Sequence, residues 1–186
     1  MEEALAGGVT ILQLREKEAD EHLIRDQIRE ILPLCRRYGV PLILDDYAEL
    51  AAQTGCDGVH IGQDDMPAGK ARRILGPDKI IGVTAKTVAQ ACAAQAAGAD
   101  YLGSGAMFAT GTKPQARPMT MAQLREITQS VNIPVAAIGG IGIENVSRLT
   151  GTGIAGIAVS EALFAAEDIR GAAAALKKAV MKLQSS

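Results

Sequence analysis

Short, nearly continuous apolar runs alternate with longer helix-compatible segments along the whole chain. The apolar runs are rich in aliphatic and β-branched residues, and we predict strands over residues 9–14, 42–45, 58–61, 80–84, 101–104, 135–138 and 156–159. Apolar runs without polar alternation are typical of parallel strands that are covered on both faces. Repeated strand–helix units therefore favour an all-parallel α/β sheet.

The segments between these runs carry helical patterns and helix punctuation. We predict helices over residues 2–7, 21–38, 70–75, 88–97, 121–130 and 171–183. Pro67 stands near one predicted helix start, whereas Gly39 and Gly98 stand just past two predicted helix ends. Proline is favoured at helix starts and glycine after helix ends, so this punctuation supports the assignment.

Polar and glycine-rich clusters follow almost every predicted strand at its carboxyl end, over residues 13–17, 45–46, 62–65, 84–87, 103–113 and 139–142. An open doubly wound sheet would gather its chemistry at one switch point. A distribution after all strands is typical of a TIM (β/α)8 barrel, which we predict as a single domain over residues 1–186. Seven strands are one short of this barrel, so we expect its first strand to lie before Met1, unless another segment fills the gap.

Composition and charge exclude several classes of protein. The chain has 48% hydrophobic and 22% charged residues, with a formal net charge of −2. It has no basic field for nucleic acid or an anionic membrane, and no apolar stretch of about 20 residues. The acidic start lacks the features of a signal peptide, and Cys35, Cys56 and Cys92 form no CxxC pair. We therefore expect a cytoplasmic protein with reduced thiols and no zinc site.

Gln13, Arg15 and Lys17 alternate along the end of the first strand. At a period of two they project from one face of the strand. Two cations and an amide make a poor core but a suitable wall for an anion. The alternative is that the strand has already ended and that these are solvated loop residues.

Carboxylates follow the next two strands, as Asp45 and Asp46 and then as Asp64 and Asp65. Acidic groups that converge on one barrel mouth repel each other unless a cation lies between them. Oxygen ligands without a His/Cys cluster favour Mg²⁺, which takes one or two carboxylates together with water and phosphate oxygens. The alternative is helix capping, since Asp46 and Asp65 both precede helical segments.

Two later regions are suited to phosphate. In the loop after the fifth strand, Thr110 and Thr112 flank Gly111 and are followed by Lys113, in an order that is not a Walker A motif. Glycine turns over residues 139–142 and the segment Ser160–Glu161 follow the last two strands, where barrel enzymes commonly bind phosphate. Tight turns without a ligand are the alternative reading of the glycines.

The chain shows no Ser–His–Asp arrangement and no activated cysteine. His60 ends a strand and is as compatible with a structural role as with a catalytic one. A reaction that depends on positioning and charge stabilisation, such as the departure of a metal-bound diphosphate, remains.

Together these residues resemble the thiamine phosphate synthase family over most of the chain. The family's motifs stand in order as Gln-Leu-Arg-Glu-Lys at 13–17, the acidic pair 45–46, Asp-Gly-Val-His-Ile-Gly-Gln-Asp-Asp at 57–65, Gly-Val-Thr-Ala-Lys-Thr at 82–87, Gly-Ala-Asp-Tyr-Leu-Gly at 98–103, Thr-Gly-Thr-Lys at 110–113 and Gly-Gly-Ile at 139–141. Asp45 and Glu161 stand where the family usually has Asn and often has Ser.

The resemblance implies a transferase that condenses hydroxymethylpyrimidine diphosphate with a thiazole phosphate. It implies one Mg²⁺ per subunit, held by Asp46 and Asp65. The pyrimidine diphosphate would be bound by Gln13, Leu14, Arg15, Glu16, Lys17, Asp45, His60, Thr84 and Lys113. The thiazole phosphate would be bound by Thr110, Gly111, Thr112, Gly140, Ser160 and Glu161. These two phosphorylated small molecules are the expected partners, whereas the oligomeric state does not follow from the sequence.

Two other functions stay open at this point. A thiazole tautomerase of the related branch would share the fold but would not need the 13–17 cations with the metal pair. A non-catalytic phosphate-binding remnant of a barrel would keep anion affinity without turnover. Mg²⁺-dependent release of diphosphate separates the synthase from this remnant.

Overall fold

Helices and strands alternate along the chain. The computed structural model describes residues 1–16, 19–109 and 118–185. Within them the strands are β1 (Leu12–Leu14), β2 (Leu42–Asp45), β3 (Gly58–Ile61), β4 (Ile80–Thr84), β5 (Tyr101–Gly105), β6 (Val135–Ile138) and β7 (Gly156–Ala158). The helices are α1 (Glu2–Ala6), α2 (Glu21–Tyr38), α3 (Ala48–Thr54), α4 (Ala68–Leu75), α5 (Val88–Ala96), α6 (Met121–Ser130), α7 (Glu161–Phe164) and α8 (Ile169–Gln184). A 3-10 helix, Val146–Leu149, lies between β6 and β7.

The described strands form one parallel sheet in sequential order from β1 to β7. Asp45 of β2 is in register with His60 of β3, and Thr84 of β4 is in register with Gly103 of β5. All four residues of β2 and of β3 are buried, as expected for parallel strands covered on both faces. The predicted all-parallel α/β sheet is confirmed.

Side chains alternate between two environments along the strands. Leu42 and Leu44 belong to the main hydrophobic core, which they form with residues of the surrounding helices. Asp45 and Gln13 lie on the opposite face and contact each other between neighbouring strands. The polar groups that end the strands therefore share the inner side of the curved sheet.

Most element boundaries agree with the sequence prediction, and β1 differs most. It begins at Leu12, because the Val9 amide bonds to the Ala4 carbonyl in the turn that ends α1. Helix α8 begins at Ile169, where the Asp168 side chain accepts a hydrogen bond from the Gly171 amide. The helices α3 and α7 have no predicted bounds, because they are short, with seven and four residues, and give too little periodicity to read.

Among the described residues, β1 pairs only with β2 and β7 pairs only with β6. The outer layer nevertheless continues across this gap, since α1 packs on α8. Ala4 joins Leu163, Ala173 and Leu176 in a second hydrophobic cluster. The predicted barrel is thus seen in part, as a curled sheet of seven strands with its helices, and the eighth strand stays a prediction.

Two aspartates form hydrogen bonds between neighbouring strands at the end of the sheet opposite the polar clusters. Asp57, just before β3, accepts a hydrogen bond from the Leu42 amide at 2.8 Å. Asp100, just before β5, accepts one from the Ile81 amide at 2.7 Å. Each carboxylate therefore joins the start of one strand to its neighbour.

None of the helices in the described part of the chain is both long and apolar enough to cross a bilayer.

Candidate active site

A buried carboxylate joins the ends of β1 and β2. The Asp45 oxygens accept hydrogen bonds from the Gln13 amide at 2.5 Å and from the Arg15 guanidinium. Asp45 is 4% exposed, whereas 37% of the Arg15 side chain is exposed. The pair compensates the buried charge of Asp45 and leaves guanidinium surface open at the end of the sheet. Gln13 and Arg15 lie on one face, as their spacing predicted.

His60 is held between two hydroxyl groups on the next strands. Its Nδ1 lies 3.0 Å from the Tyr101 hydroxyl, and its Nε2 lies 3.0 Å from Thr84 Oγ1. His60 is 8% exposed, so neither ring nitrogen is left to water. The imidazole therefore connects β3, β4 and β5 on the inner side of the sheet.

Burial shifts the acid–base properties of this group of residues. Desolvation lowers the pKa of His60, and the nearby Arg15 cation lowers it further, against the opposing effects of Asp45 and Asp65. Burial also raises the pKa of the Tyr101 phenol, with a smaller contribution from the Asp45 carboxylate. At neutral pH the imidazole is thus uncharged and the phenol keeps its proton.

The two predicted metal ligands stand at the ends of neighbouring strands. Asp46 directly follows β2 with a φ of +71°, a conformation that is costly for a residue with a side chain and that is concentrated at functional sites. Its amide bonds to the His60 carbonyl at 2.9 Å. Asp65 follows β3 and accepts a hydrogen bond from the Gly62 amide at 2.9 Å.

Within the described ranges, no group of three or more His, Cys, Asp or Glu side chains converges in a way that could hold a metal by itself. Two carboxylates nonetheless suit Mg²⁺, which takes few protein ligands and completes its shell with water and substrate phosphate. Carboxylate oxygens suit magnesium better than zinc, and the assignment of Asp46 and Asp65 as magnesium ligands stays a prediction.

The glycine turn after β6 is shaped by close backbone contacts. Gly139 and Gly140 have φ values of +96° and +63°, and a Cβ on Gly140 would lie 2.3 Å from the Ala109 carbonyl oxygen. Asn145 fixes the turn, because its amide donates to the Gly140 carbonyl at 2.8 Å and its oxygen accepts from the Gly142 amide at 3.0 Å. After β7, Ser160 and Glu161 are both exposed at the start of α7.

Two predicted site residues direct their side chains elsewhere. Leu14 is partly buried against the main hydrophobic core. The Glu16 carboxylate accepts a hydrogen bond from Gln27 of α2 at 3.3 Å. The candidates Lys17, Thr110, Gly111, Thr112 and Lys113 lie outside the described residues.

Sequence reasoning missed two residues of this region, Tyr101 and Asn145. Tyr101 begins β5 and reads as an ordinary apolar strand residue. The sequence did contain a signal for Tyr101. It stands two positions before Gly103, which begins the glycine-rich cluster after this strand, and alternation places both residues on the same face. Asn145 lies three residues after the predicted glycine turn over residues 139–142, in a segment that carries no site prediction, although Asn commonly bonds to nearby backbone.

The comparison with protein families agrees with this geometry. The model described as "Thiamine monophosphate synthase" matches residues 1–163. The chain belongs to the thiamine monophosphate synthase family. The resemblance drawn from the motifs is confirmed, and with it the assignment to a family of enzymes.

Curated relatives and a solved structure give the extent of the similarity. A thiamine-phosphate synthase of Ruminiclostridium cellulolyticum is 45% identical over 173 residues, which are 93% of this chain and 82% of the relative. One of Clostridium botulinum is 42% identical over 185 residues, which are 100% of this chain and 87% of the relative. A thiamine phosphate pyrophosphorylase of Pyrococcus furiosus has a TM-score of 0.90 and 39% identity, over 98% of this chain and 88% of that one.

Proposed function

We propose that the chain joins 4-amino-2-methyl-5-hydroxymethylpyrimidine diphosphate to 4-methyl-5-(2-phosphoethyl)thiazole, giving thiamine phosphate and diphosphate. The observation that carries the proposal is the cluster of Gln13, Arg15, Asp45, His60 and Thr84 on one side of the sheet. Its location in a member of this synthase family supports the reaction.

The pyrimidine diphosphate would lie at the ends of β1 to β4. Arg15 and the predicted Lys17 and Lys113 supply cations for the diphosphate, while Gln13 and Thr84 supply neutral donors. The Asp45 carboxylate can only accept, which suits the exocyclic amine of the pyrimidine. Leu14 and Glu16 would contribute through their backbone, since their side chains face the core and Gln27.

The thiazole phosphate would lie at the other side of the mouth. Gly140 supports this, because its turn brings the backbone after β6 against Ala109. The predicted contributors Thr110, Gly111 and Thr112 supply hydroxyls and backbone amides. Ser160 and Glu161 would complete the pocket after β7, with the Glu161 carboxylate directed away from the phosphate.

Asp46 and Asp65 would hold one Mg²⁺ together with oxygens of the substrate diphosphate. When bound, the ion neutralises charge that builds up on the leaving group. The C–O bond breaks with its electron pair on the diphosphate, and the thiazole nitrogen donates its lone pair to the resulting pyrimidinylmethyl carbon. No protein nucleophile is required, and the described residues of the site supply donors and charge only.

An eighth strand would fill the gap between β1 and β7, as the continuous packing of α1 on α8 suggests. Cys35, Cys56 and Cys92 are free thiols, which supports a reducing, cytoplasmic location. The Arg15–Asp45 group and the Asp46–Asp65 pair favour the synthase over a thiazole tautomerase, which would need neither.

The test combines the purified chain with both phosphorylated substrates and Mg²⁺ and follows thiamine phosphate by mass spectrometry. An EDTA control removes the metal, and Arg15→Ala is compared with Arg73→Ala, a surface cation of α4. We expect product that needs Mg²⁺ and Arg15 but not Arg73. Binding of both substrates without product would favour the non-catalytic remnant instead.

A further inference from the structure

We propose that Tyr101 is a positioning residue that acts through His60 on Thr84. The chain of hydrogen bonds fixes the Thr84 hydroxyl so that its proton points toward the substrate diphosphate. This inference deepens the proposed function and rests on it for the identity of the anion. Three hydrogen-bonding groups on adjacent strands thereby act as one unit.

The geometry leaves His60 fully engaged. Tyr101 Oη lies 3.0 Å from Nδ1, and Thr84 Oγ1 lies 3.0 Å from Nε2, on a ring that is 8% exposed. A neutral imidazole has one donor nitrogen and one acceptor nitrogen. If Tyr101 donates to Nδ1, then Nε2 carries the ring proton and donates to Thr84. If Tyr101 accepts from Nδ1, then Nε2 accepts from Thr84 instead.

The chemistry of the two hydroxyls selects one direction. A phenol is a better donor and a poorer acceptor than an aliphatic alcohol, and the partly buried Tyr101 phenol keeps its proton at neutral pH. Tyr101 thus donates to Nδ1, and Nε2–H donates to Thr84 Oγ1. With an acceptor site of Thr84 occupied, its own proton is directed away from the imidazole. An anion is the partner that such a donor fits.

Two strand glycines make room for this arrangement. A Cβ on Gly82 would lie 2.1 Å from Tyr101 Cζ, and a Cβ on Gly103 would lie 3.0 Å from His60 Cε1. Glycine inside a strand weakens the sheet and often marks a close approach of other groups. Here the close groups are the phenol and the imidazole, so the glycines serve this pair.

The tautomer of His60 gives a test that needs no turnover. The chain has two histidines, His22 and His60, and most of the His22 side chain is exposed. Nitrogen-15 NMR of the imidazole rings, with His22→Gln for assignment, reports which nitrogen carries the proton. We expect the proton on Nε2 in the wild type, and a mixture of tautomers in Tyr101→Phe. A proton on Nδ1 in the wild type would overturn the proposal even if the enzyme is active.

Kinetics then test the coupling to Thr84. We expect Tyr101→Phe to raise the KM for the pyrimidine diphosphate roughly three- to tenfold, the size of one lost hydrogen bond, and to leave the KM for the thiazole phosphate unchanged. Tyr38→Phe, at the exposed end of α2, is the matched control.

The Thr84→Val background separates positioning from direct contact. If Tyr101 acts through the Thr84 hydroxyl, adding Tyr101→Phe to Thr84→Val produces little further change in that KM. Effects that multiply in the double variant would assign Tyr101 an independent contact and overturn the proposal. Binding of inorganic diphosphate, measured by calorimetry on the same variants, keeps the comparison possible if the condensation itself is not observed.

Discussion

Asp45 and His60 are polar residues that are buried within the sheet. Both are tolerated because each polar atom has a partner: Gln13 and Arg15 for the carboxylate, and two hydroxyls for the imidazole. A fully satisfied buried network is rigid, so it can hold the groups of a site in a fixed geometry.

The metal assignment is tested at a single residue. We expect Asp65→Ala to abolish Mg²⁺-dependent turnover while the circular dichroism spectrum stays that of the wild type, because the exposed side chain contributes little to the core. Asp64→Ala removes the adjacent exposed carboxylate and should keep its activity. Normal turnover in the Asp65 variant would remove this residue from the metal site.

The lowered pKa of His60 predicts a pH dependence of stability. Below the ordinary histidine value of about 6.5 the unfolded chain binds a proton that the folded protein resists, so the unfolding free energy falls as the pH drops through that value. We expect urea unfolding between pH 8 and pH 5 to show this loss in the wild type and a flatter curve in His60→Gln. Because His22 is exposed, His22→Gln should follow the wild type; equal slopes for wild type and His60→Gln would contradict the assignment.

At the level of elements, the strands are aligned by side chains that bond to backbone at the ends of helices and strands. Arg72 of α4 is the most connected of these described residues. Its guanidinium donates to the carbonyls of Gly76 at 2.9 Å, Lys79 at 2.6 Å and Gly98 at 2.8 Å, and to the Asp100 carboxylate at 2.6 Å. It therefore joins the end of α4 to the chain segments that enter β4 and β5.

Removal of this guanidinium should be costly. We expect Arg72→Ala to lower the free energy of unfolding by about 2–4 kcal/mol, because carbonyls and a carboxylate lose charged donors. Arg73→Ala, which removes an exposed guanidinium one residue further along α4, should change it by less than about 0.5 kcal/mol. Chemical denaturation of both variants measures the difference, and similar losses would show that the hydrogen bonds of Arg72 add nothing specific.

For the whole molecule, the buried hydrophobic residues form two clusters. The large core lies between the sheet and its helices, and a smaller cluster joins the two ends of the described chain. The smaller cluster holds α1 against α8 through Ala4, Ala173 and Leu176. The fit is close, since a Cβ on Gly7 would lie 2.6 Å from both the Arg170 carbonyl oxygen and Ala173 Cβ.

This division predicts unequal stability across the molecule. Leu176→Ala should cost about 2–3 kcal/mol and should speed amide exchange first in α1 and α8, while β2 to β5 stay protected. Hydrogen exchange read by mass spectrometry resolves these segments. As a comparison, Leu124→Ala empties a site in the large core and should raise exchange in the sheet as well. Uniform exchange after Leu176→Ala would show that the two clusters unfold together.

The parallel α/β class, most element boundaries and the family follow from the amino-acid sequence alone, because periodicity, turn residues and ordered motifs are local signals. It also brought Gln13 and Arg15 to one face, since alternation along a strand is fixed by backbone geometry. The pairing of Asp45 with Arg15 and the link from Tyr101 through His60 to Thr84 arise only in the folded chain, because these contacts span 24 to 41 residues and depend on strand register. The clearance at Gly82 and the packing of α1 on α8 likewise depend on which elements become neighbours in space, which no local pattern encodes.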